Sequence, residues 1–390
     1  MKKYLFLVFV ILGFSYGETL DEVLSKALES GIVKGKQYEV KSFEGEIIKA
    51  KSFQNPEVYV ELGRLISKGS SSLNLTELSV SQPLTLYGLR KYRINEAKSV
   101  LEAANYNYEL FLNDYKAQVY RLFFESLYKK ELLKITKQEL EFSKSLYDFV
   151  KKTYELGEVT KIDLFRSEKE FNLAKTNYEK SVAEYRESLK RLSSIVGFEV
   201  SDVEGDFYSL KDLQNIDFGQ HPEVRFYQKT IEALSYQENY YRALSKPQFS
   251  VGFITKEATK NNYESGVFIS ATIPAFYRYT GELVSIRNRK LQYENLTEYA
   301  LKSLKLRYES ILQTYEYLKQ QLDKIDREVL STLEKQLQLS EKSYKLKVIT
   351  LFELTSVKNE YFQTLRFKLE IIDTIHKNYA EYIKIGGQVW

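Results

Sequence analysis

The chain has no cysteine, one methionine and two histidines in 390 residues. Without cysteine there is no disulfide framework, no thiolate metal site and no acylated N-terminal cysteine. With only His221 and His376 available, imidazole metal centres and His- or Cys-based nucleophilic dyads have almost no candidates. His221 precedes Pro222-Glu223 at a predicted helix start and reads as a turn residue; His376 reads as solvated on a helical face. No glycine-rich phosphate loop occurs, and the many carboxylates sit in long helical stretches where they form solvated faces with i,i+4 partners. Neither an enzyme nor a cofactor is expected. The net charge of +4 comes from interspersed charges, which gives a nucleic-acid partner no support.

Long apolar runs are also missing. Only Tyr4 to Tyr16 is continuously apolar and uncharged, too short for a spanning helix, and it follows Met1-Lys2-Lys3. With the small residues Ser15 and Gly17 it reads as a signal peptide over 1–17, cleaved after Gly17. Prolines are the third scarcity. The five stand at Pro56, Pro83, Pro222, Pro247 and Pro274, so 92–195 and 287–385 are free of helix breakers.

What the chain does contain, it contains twice. Tyr154-Glu155-Leu156-Gly157-Glu158-Val159-Thr160-Lys161-Ile162-Asp163-Leu164 returns about 190 residues later as Tyr344-Lys345-Leu346-Lys347-Val348-Ile349-Thr350-Leu351-Phe352-Glu353-Leu354. Pro56 pairs with Pro247, and Pro83 with Pro274, at the same offset. Two repeats follow, 18–205 and 206–390, each with a β-hairpin (56–83 and 247–274), a long helix, a tip (154–163 and 344–353) and a return helix.

Between the paired prolines the apolar period shortens to two. Val58, Val60 and Leu62 alternate with Tyr59, Glu61 and Gly63, and Val267, Ile269, Ala271 and Ile273 with Phe268, Ser270 and Thr272. The turns are Ser67-Lys68-Gly69-Ser70-Ser71-Ser72 and Thr259-Lys260-Asn261-Asn262. Strands of about nine to ten residues suit a transmembrane β-strand, and taken alone they suit an ordinary two-sided hairpin of a soluble sheet even better. Four strands cannot close a barrel, so a membrane barrel would need several chains.

Elsewhere the period is helical. One helix is predicted from Gly88 to about Leu156, with Ile94, Leu101, Tyr108, Tyr115 and Leu122 at heptad steps, an eleven-residue jump to Leu133, then Leu140, Tyr147 and Tyr154. Shorter helices are predicted over 20–53, 161–196, 223–243 and 351–383. In the second repeat Leu301, Tyr308, Tyr315, Leu322 and Val329 form one seam, and Leu304, Ile311, Leu318 and Ile325 the other. A helix of almost seventy residues is ~100 Å long. Thr160 and Thr350 each open a return helix in a capping box, with Asp163 and Glu353 three residues on. Gly157 suits a left-handed helix end, whereas Lys347 in the matching place does not. The fold class is mainly α with a small β part.

The His221-Pro222-Glu223 start, the duplicated Tyr-x-x-Gly-x-x-Thr-x-x-Asp tip and Ile273-Pro274-Ala275-Phe276-Tyr277-Arg278-Tyr279-Thr280-Gly281-Glu282 resemble the TolC-like outer membrane efflux protein family. The last segment is most similar to its heavy-metal-efflux branch. The resemblance implies a homotrimer in which the chains share a twelve-stranded barrel in outer-membrane lipid above a helical periplasmic tunnel, an α-barrel. A periplasmic adaptor contacts the lower end and links it to an inner-membrane pump. The conduit would be passive and gated. Alternatives are a type I protein-secretion channel, a periplasmic coiled-coil adaptor or a structural protein.

On the same resemblance, Tyr344, Ile349, Glu353 and Ser356 fall at the periplasmic entrance. Glu353 matches an acidic ring position, Ser356 stands where a second acid is expected, and Ile349 stands where a basic gate residue is expected. Tyr154, Leu156, Gly157, Val159, Thr160, Asp163, Leu346, Lys347 and Thr350 fall on the adaptor-facing tips.

Overall fold

The computed structural model describes residues 17–67, 70–259 and 262–387, with backbone only for 64–67, 70–76 and 259. The signal peptide read over 1–17 lies outside this range except for Gly17, as do the central residues of both hairpin turns.

Eight α-helices and four strands follow in the described chain: α1 (Leu20–Leu28), α2 (Gly31–Lys51), β1 (Glu57–Ser67), β2 (Ser70–Pro83), α3 (Leu89–Glu155), α4 (Lys161–Val196), α5 (Pro222–Leu244), β3 (Gln248–Thr259), β4 (Asn262–Thr272), α6 (Thr280–Lys324), α7 (Ser331–Lys345) and α8 (Leu351–Lys384). They gather into two compact units that cut across both repeats. One comprises Met1–Lys34, Phe111–Ile216 and Lys305–Trp390; the other comprises Gly35–Leu110 and Asp217–Leu304.

The second unit holds a single antiparallel sheet in the order β1-β2-β3-β4. Each hairpin pairs with itself, and β2 joins β3 from Glu77↔Lys256 to Pro83↔Ser250. Gly252 is required there, because a Cβ would lie 2.6 Å from the Val80 carbonyl oxygen and from the Phe268 ring. Val58, Tyr59 and Val60 are consecutive and all exposed, so β1 presents apolar side chains on both faces. The strands run 11 to 14 residues, longer than the alternation predicted, because backbone pairing continues through the polar residues beside the turns. Tyr87 (φ 56°) and Tyr279 (φ 59°), both in the left-handed region, end the turns from strand to helix in the two repeats.

Three helical expectations are corrected. The helix predicted over 20–53 is two, broken at Glu29-Ser30, where Glu29 and Ser30 amides bond back to Lys26 and Ala27 carbonyls in tight turns. Ser30 Oγ lies 3.3 Å from the Tyr115 hydroxyl, which holds the break against α3. The second long helix is interrupted by a π-helical turn, Ile325–Leu330. Ile325 and Leu333 are both buried although one residue more than a heptad separates them, and the wider turn absorbs that residue. The third correction is His376, which is buried rather than solvated. Its ring stacks on Phe124 at 3.8 Å between centroids. Nε2 donates to the Phe207 carbonyl at 2.9 Å, so Nδ1 accepts from the Tyr120 hydroxyl at 2.9 Å. Burial lowers its pKa to about 4, which keeps it neutral.

His221, by contrast, caps α5 as its position predicts, accepting from the Glu223 amide at 3.2 Å. α4 buries Ser167, Ala174, Ser181 and Ser188 at heptad spacing, a stripe small enough for close helix approach.

Candidate functional site at the two hairpin tips

Both tips lie in the first unit, and both are built on one backbone plan. At the first, the Glu158 amide bonds to the Thr153 carbonyl and the Gly157 amide to the Tyr154 carbonyl, each at 2.9 Å. At the second, Val348 bonds to Ser343 and Lys347 to Tyr344, again at 2.9 Å. These are Schellman motifs, which need a left-handed residue at the helix end. Gly157 supplies it at φ 75°. Lys347 supplies it too, at φ 61°, against the sequence expectation. The motif outweighs the Cβ penalty of ~1–2 kcal/mol that a non-glycine residue meets there.

Each return helix then opens in a capping box. The Asp163 amide donates to Thr160 Oγ1 at 3.2 Å while the Thr160 amide donates to Asp163 Oδ2 at 3.3 Å. In the second tip the Glu353 amide donates to Thr350 Oγ1 at 3.2 Å and the Thr350 amide to Glu353 Oε2 at 2.7 Å. The Thr350 amide and hydroxyl hold the exposed Glu353 carboxyl below the usual glutamate range.

The tips meet. Leu146 and Val150 of α3 pack with Tyr344, Leu351 and Leu354, flanked by Phe142, Phe149, Val159, Leu337 and Ile349. Tyr344 stands edge-on to Phe149 at 5.9 Å, and burial raises its pKa. Its hydroxyl has no hydrogen-bond partner among the described residues. A cavity of about 80 Å³ lies beside it, lined by residues that include Phe142, Phe149, Tyr344 and Leu354. Outside the cluster, Lys347 Nζ lies 3.3 Å from Glu158 Oε2. The Arg166 guanidinium sits 5.3 Å from the Phe352 ring centre.

Among the sequence-selected residues, Tyr344, Ile349 and Val159 turn toward this cluster, and Tyr154 and Asp163 are partly covered. Leu156, Gly157, Thr160, Leu346, Lys347, Thr350, Glu353 and Ser356 are exposed. Sequence reasoning missed Leu146, Val150, Leu351 and Leu354, the residues that join the tips, because the heptad stripe followed on α3 passes through Tyr147 and Tyr154 instead. The spacing of Leu146 and Val150, four apart, was the available signal. It also missed Ile162, Phe165, Val348 and Phe352, which extend the exposed apolar surface of the tips.

No helix among the described residues is long and apolar enough to cross a membrane, and no group of three or more His, Cys, Asp or Glu is placed to hold a metal.

Paired helical hairpins, each entered from a β-hairpin that adds to one shared antiparallel sheet, match the fold of TolC-like outer-membrane channels. The model of the family described as outer membrane efflux protein matches residues 37–198. The family is one of channel proteins. No curated protein matches the chain. Among solved structures, CusC, described in terms of transmembrane channel formation, is similar with a TM-score of 0.80 at 15% identity over 95% of this chain and 92% of its own. The outer membrane protein VceC of Vibrio cholerae gives 0.79 at 13% over 95% and 97%. The open-state MtrE outer membrane channel of Neisseria gonorrhoeae gives 0.78 at 16% over 94% and 89%. At these identities the likeness is one of fold.

Proposed function

We propose that this chain is the outer-membrane conduit of a tripartite efflux system, working as a homotrimer that an adaptor protein connects to an inner-membrane pump. One observation carries the assembly. The sheet has two free edges, β1 and β4, and its order is antiparallel throughout. Pairing β4 of one copy with β1 of the next therefore continues the same antiparallel alternation until the ring closes. Closure removes edges that lipid does not tolerate, and strands of 11 to 14 residues are long enough to span. Three copies give twelve strands.

The tips form the periplasmic entrance and the adaptor-facing surface. Glu353, exposed and charged at neutral pH, supplies one carboxylate per chain to an entrance ring that favours cations. Ser356 adds no second charge. Ile349 packs inward, so this entrance has no basic lock at that position.

The test is reconstitution of the full chain into planar bilayers, with native mass spectrometry of the detergent-solubilised protein. Discrete conductance steps and a trimer mass are expected; a monomer without conductance rejects the assignment. Glu353→Gln keeps the capping box and should reduce cation selectivity. Unchanged selectivity rejects the ring while leaving the channel in place.

A further inference from the structure

The first unit buries a set of charges away from the tips. Lys358, two turns into α8, has 2% of its side chain exposed. Its Nζ donates to Glu170 Oε2 of α4 at 3.0 Å and lies 3.8 Å from Glu139 Oε1 of α3. Arg366, two further turns along the same face of α8, pairs with Glu139 through the other carboxylate oxygen. Glu139 keeps 8% of its side chain exposed and Glu170 14%. Both cations come from the second hairpin and both carboxylates from the first; Lys169 of the first hairpin also lies 3.4 Å from Glu170 Oε1 but is 65% exposed, so the buried charges balance only when the hairpins are together.

Burying such ions costs several kcal/mol each before pairing, and apolar side chains of similar volume would pack at lower cost. Apolar heptad seams tolerate a slip of one turn, because one Leu or Tyr replaces another. The charged set does not. A slip of ~5.4 Å would strand Lys358 in the interior without a carboxylate. At the tips, the only cross-hairpin ion pair among the described residues, Lys347–Glu158, is 65% and 41% exposed. Such surface pairs contribute little.

We infer that Lys358, Arg366, Glu139 and Glu170 form a charge clasp that fixes the axial register of the second hairpin on the first and serves as the fulcrum for the tips. The tips part on one side of it while the hairpins stay joined at it. The register role stands without the channel assignment; the fulcrum role rests on it.

The cysteine-free chain makes the test direct. With Glu158→Cys and Lys347→Cys introduced into the full chain, a short bis-thiol crosslinker reports whether the tips face each other. In that background, Lys358→Met, Arg366→Met, Glu139→Gln and Glu170→Gln together remove the clasp without leaving a buried unpaired ion. Retained helicity with crosslinking about threefold slower or more is expected, since apolar packing alone leaves the register loose. Crosslinking at the parent rate overturns the clasp. Amide exchange of the unmodified chain gives a second reading that needs no substituted protein to fold. Residues 354–362 should exchange more slowly than the helical residues 334–343 of α7, and equal rates also overturn the clasp. In bilayers the clasp-free protein should open more often than the parent; equal gating overturns the fulcrum while the channel stands. If neither protein conducts, the channel assignment and the fulcrum both fall, and crosslinking alone decides the register.

Discussion

The two tips share a backbone and differ in chemistry. Each ends its outgoing helix in a Schellman motif and starts its return helix with a Thr-based capping box. The first fills the left-handed position with Gly157, the residue with no Cβ to strain; the second fills it with Lys347 and directs the ammonium at Glu158 of the first. The burial differs as well. From the second tip, Tyr344, Leu351 and Leu354 enter the joint core, whereas the first return helix leaves Ile162 and Phe165 exposed. A duplicated segment has thus kept its hydrogen bonds, which depend on backbone conformation, and diverged in side chains, which depend on what each copy meets. Both tips expose apolar side chains, but the second also anchors Tyr344, Leu351 and Leu354 in the joint core.

The largest expected effect breaks the anchored side of this comparison. Leu354→Ala should destabilise the joint core by about 2–5 kcal/mol, as for other fully buried leucines, measured by urea unfolding followed by helical circular dichroism. Ile162→Ala on the exposed face of the first return helix should change stability by less than about 0.5 kcal/mol. Equal losses would erase the asymmetry. Next come the caps. Thr160→Ala and Thr350→Ala should each cost about 1 kcal/mol, because each removes the same box. Hydrogen exchange in the first turns of α4 and α8 checks this.

The left-handed positions should respond with opposite signs. Gly157→Ala should destabilise by about 1 kcal/mol, while Lys347→Gly should stabilise by about 0.5 kcal/mol, since the relief of a strained Cβ exceeds the loss of one exposed ion pair. Calorimetry of the two variants decides. The smallest effect concerns pH. The folded pKa of Glu353 is lowered, so its cap contributes fully above the ordinary glutamate range and is lost as pH falls through and below it. Faster amide exchange at 351–353 in acid, relative to neutral pH, is the expected reading.

Much of this is legible in the sequence. The offset between proline pairs located both β-hairpins, and the proline-free stretches located helices that begin and end within two residues of α3, α4, α5 and α8. Thr160-Asp163 and Thr350-Glu353 announced their caps, because a capping box is closed within four residues. Errors arose where a residue's role depends on a distant one. His376 looked solvated because its neighbours on α8 are polar, yet Tyr120 and Phe207, far away in the chain, enclose it. Lys347 looked unfit for a left-handed turn because local propensity was weighed without the Schellman bonds and Glu158. The π-helical turn was invisible because a single inserted residue shifts the buried face without leaving a breaker.

The sequence by itself determined the duplication, the order of the long elements, the alternation of the strands and the capping boxes that open the return helices. All of these are written in spacing and in interactions that close within a few residues. Only the tertiary structure decided which face of each helix is buried, that the two tips share one core, and that Lys358 and Arg366 of one hairpin meet Glu139 and Glu170 of the other. A lysine in a helix reads as a solvated face until packing removes the water around it, and that removal depends on helices the local sequence does not specify.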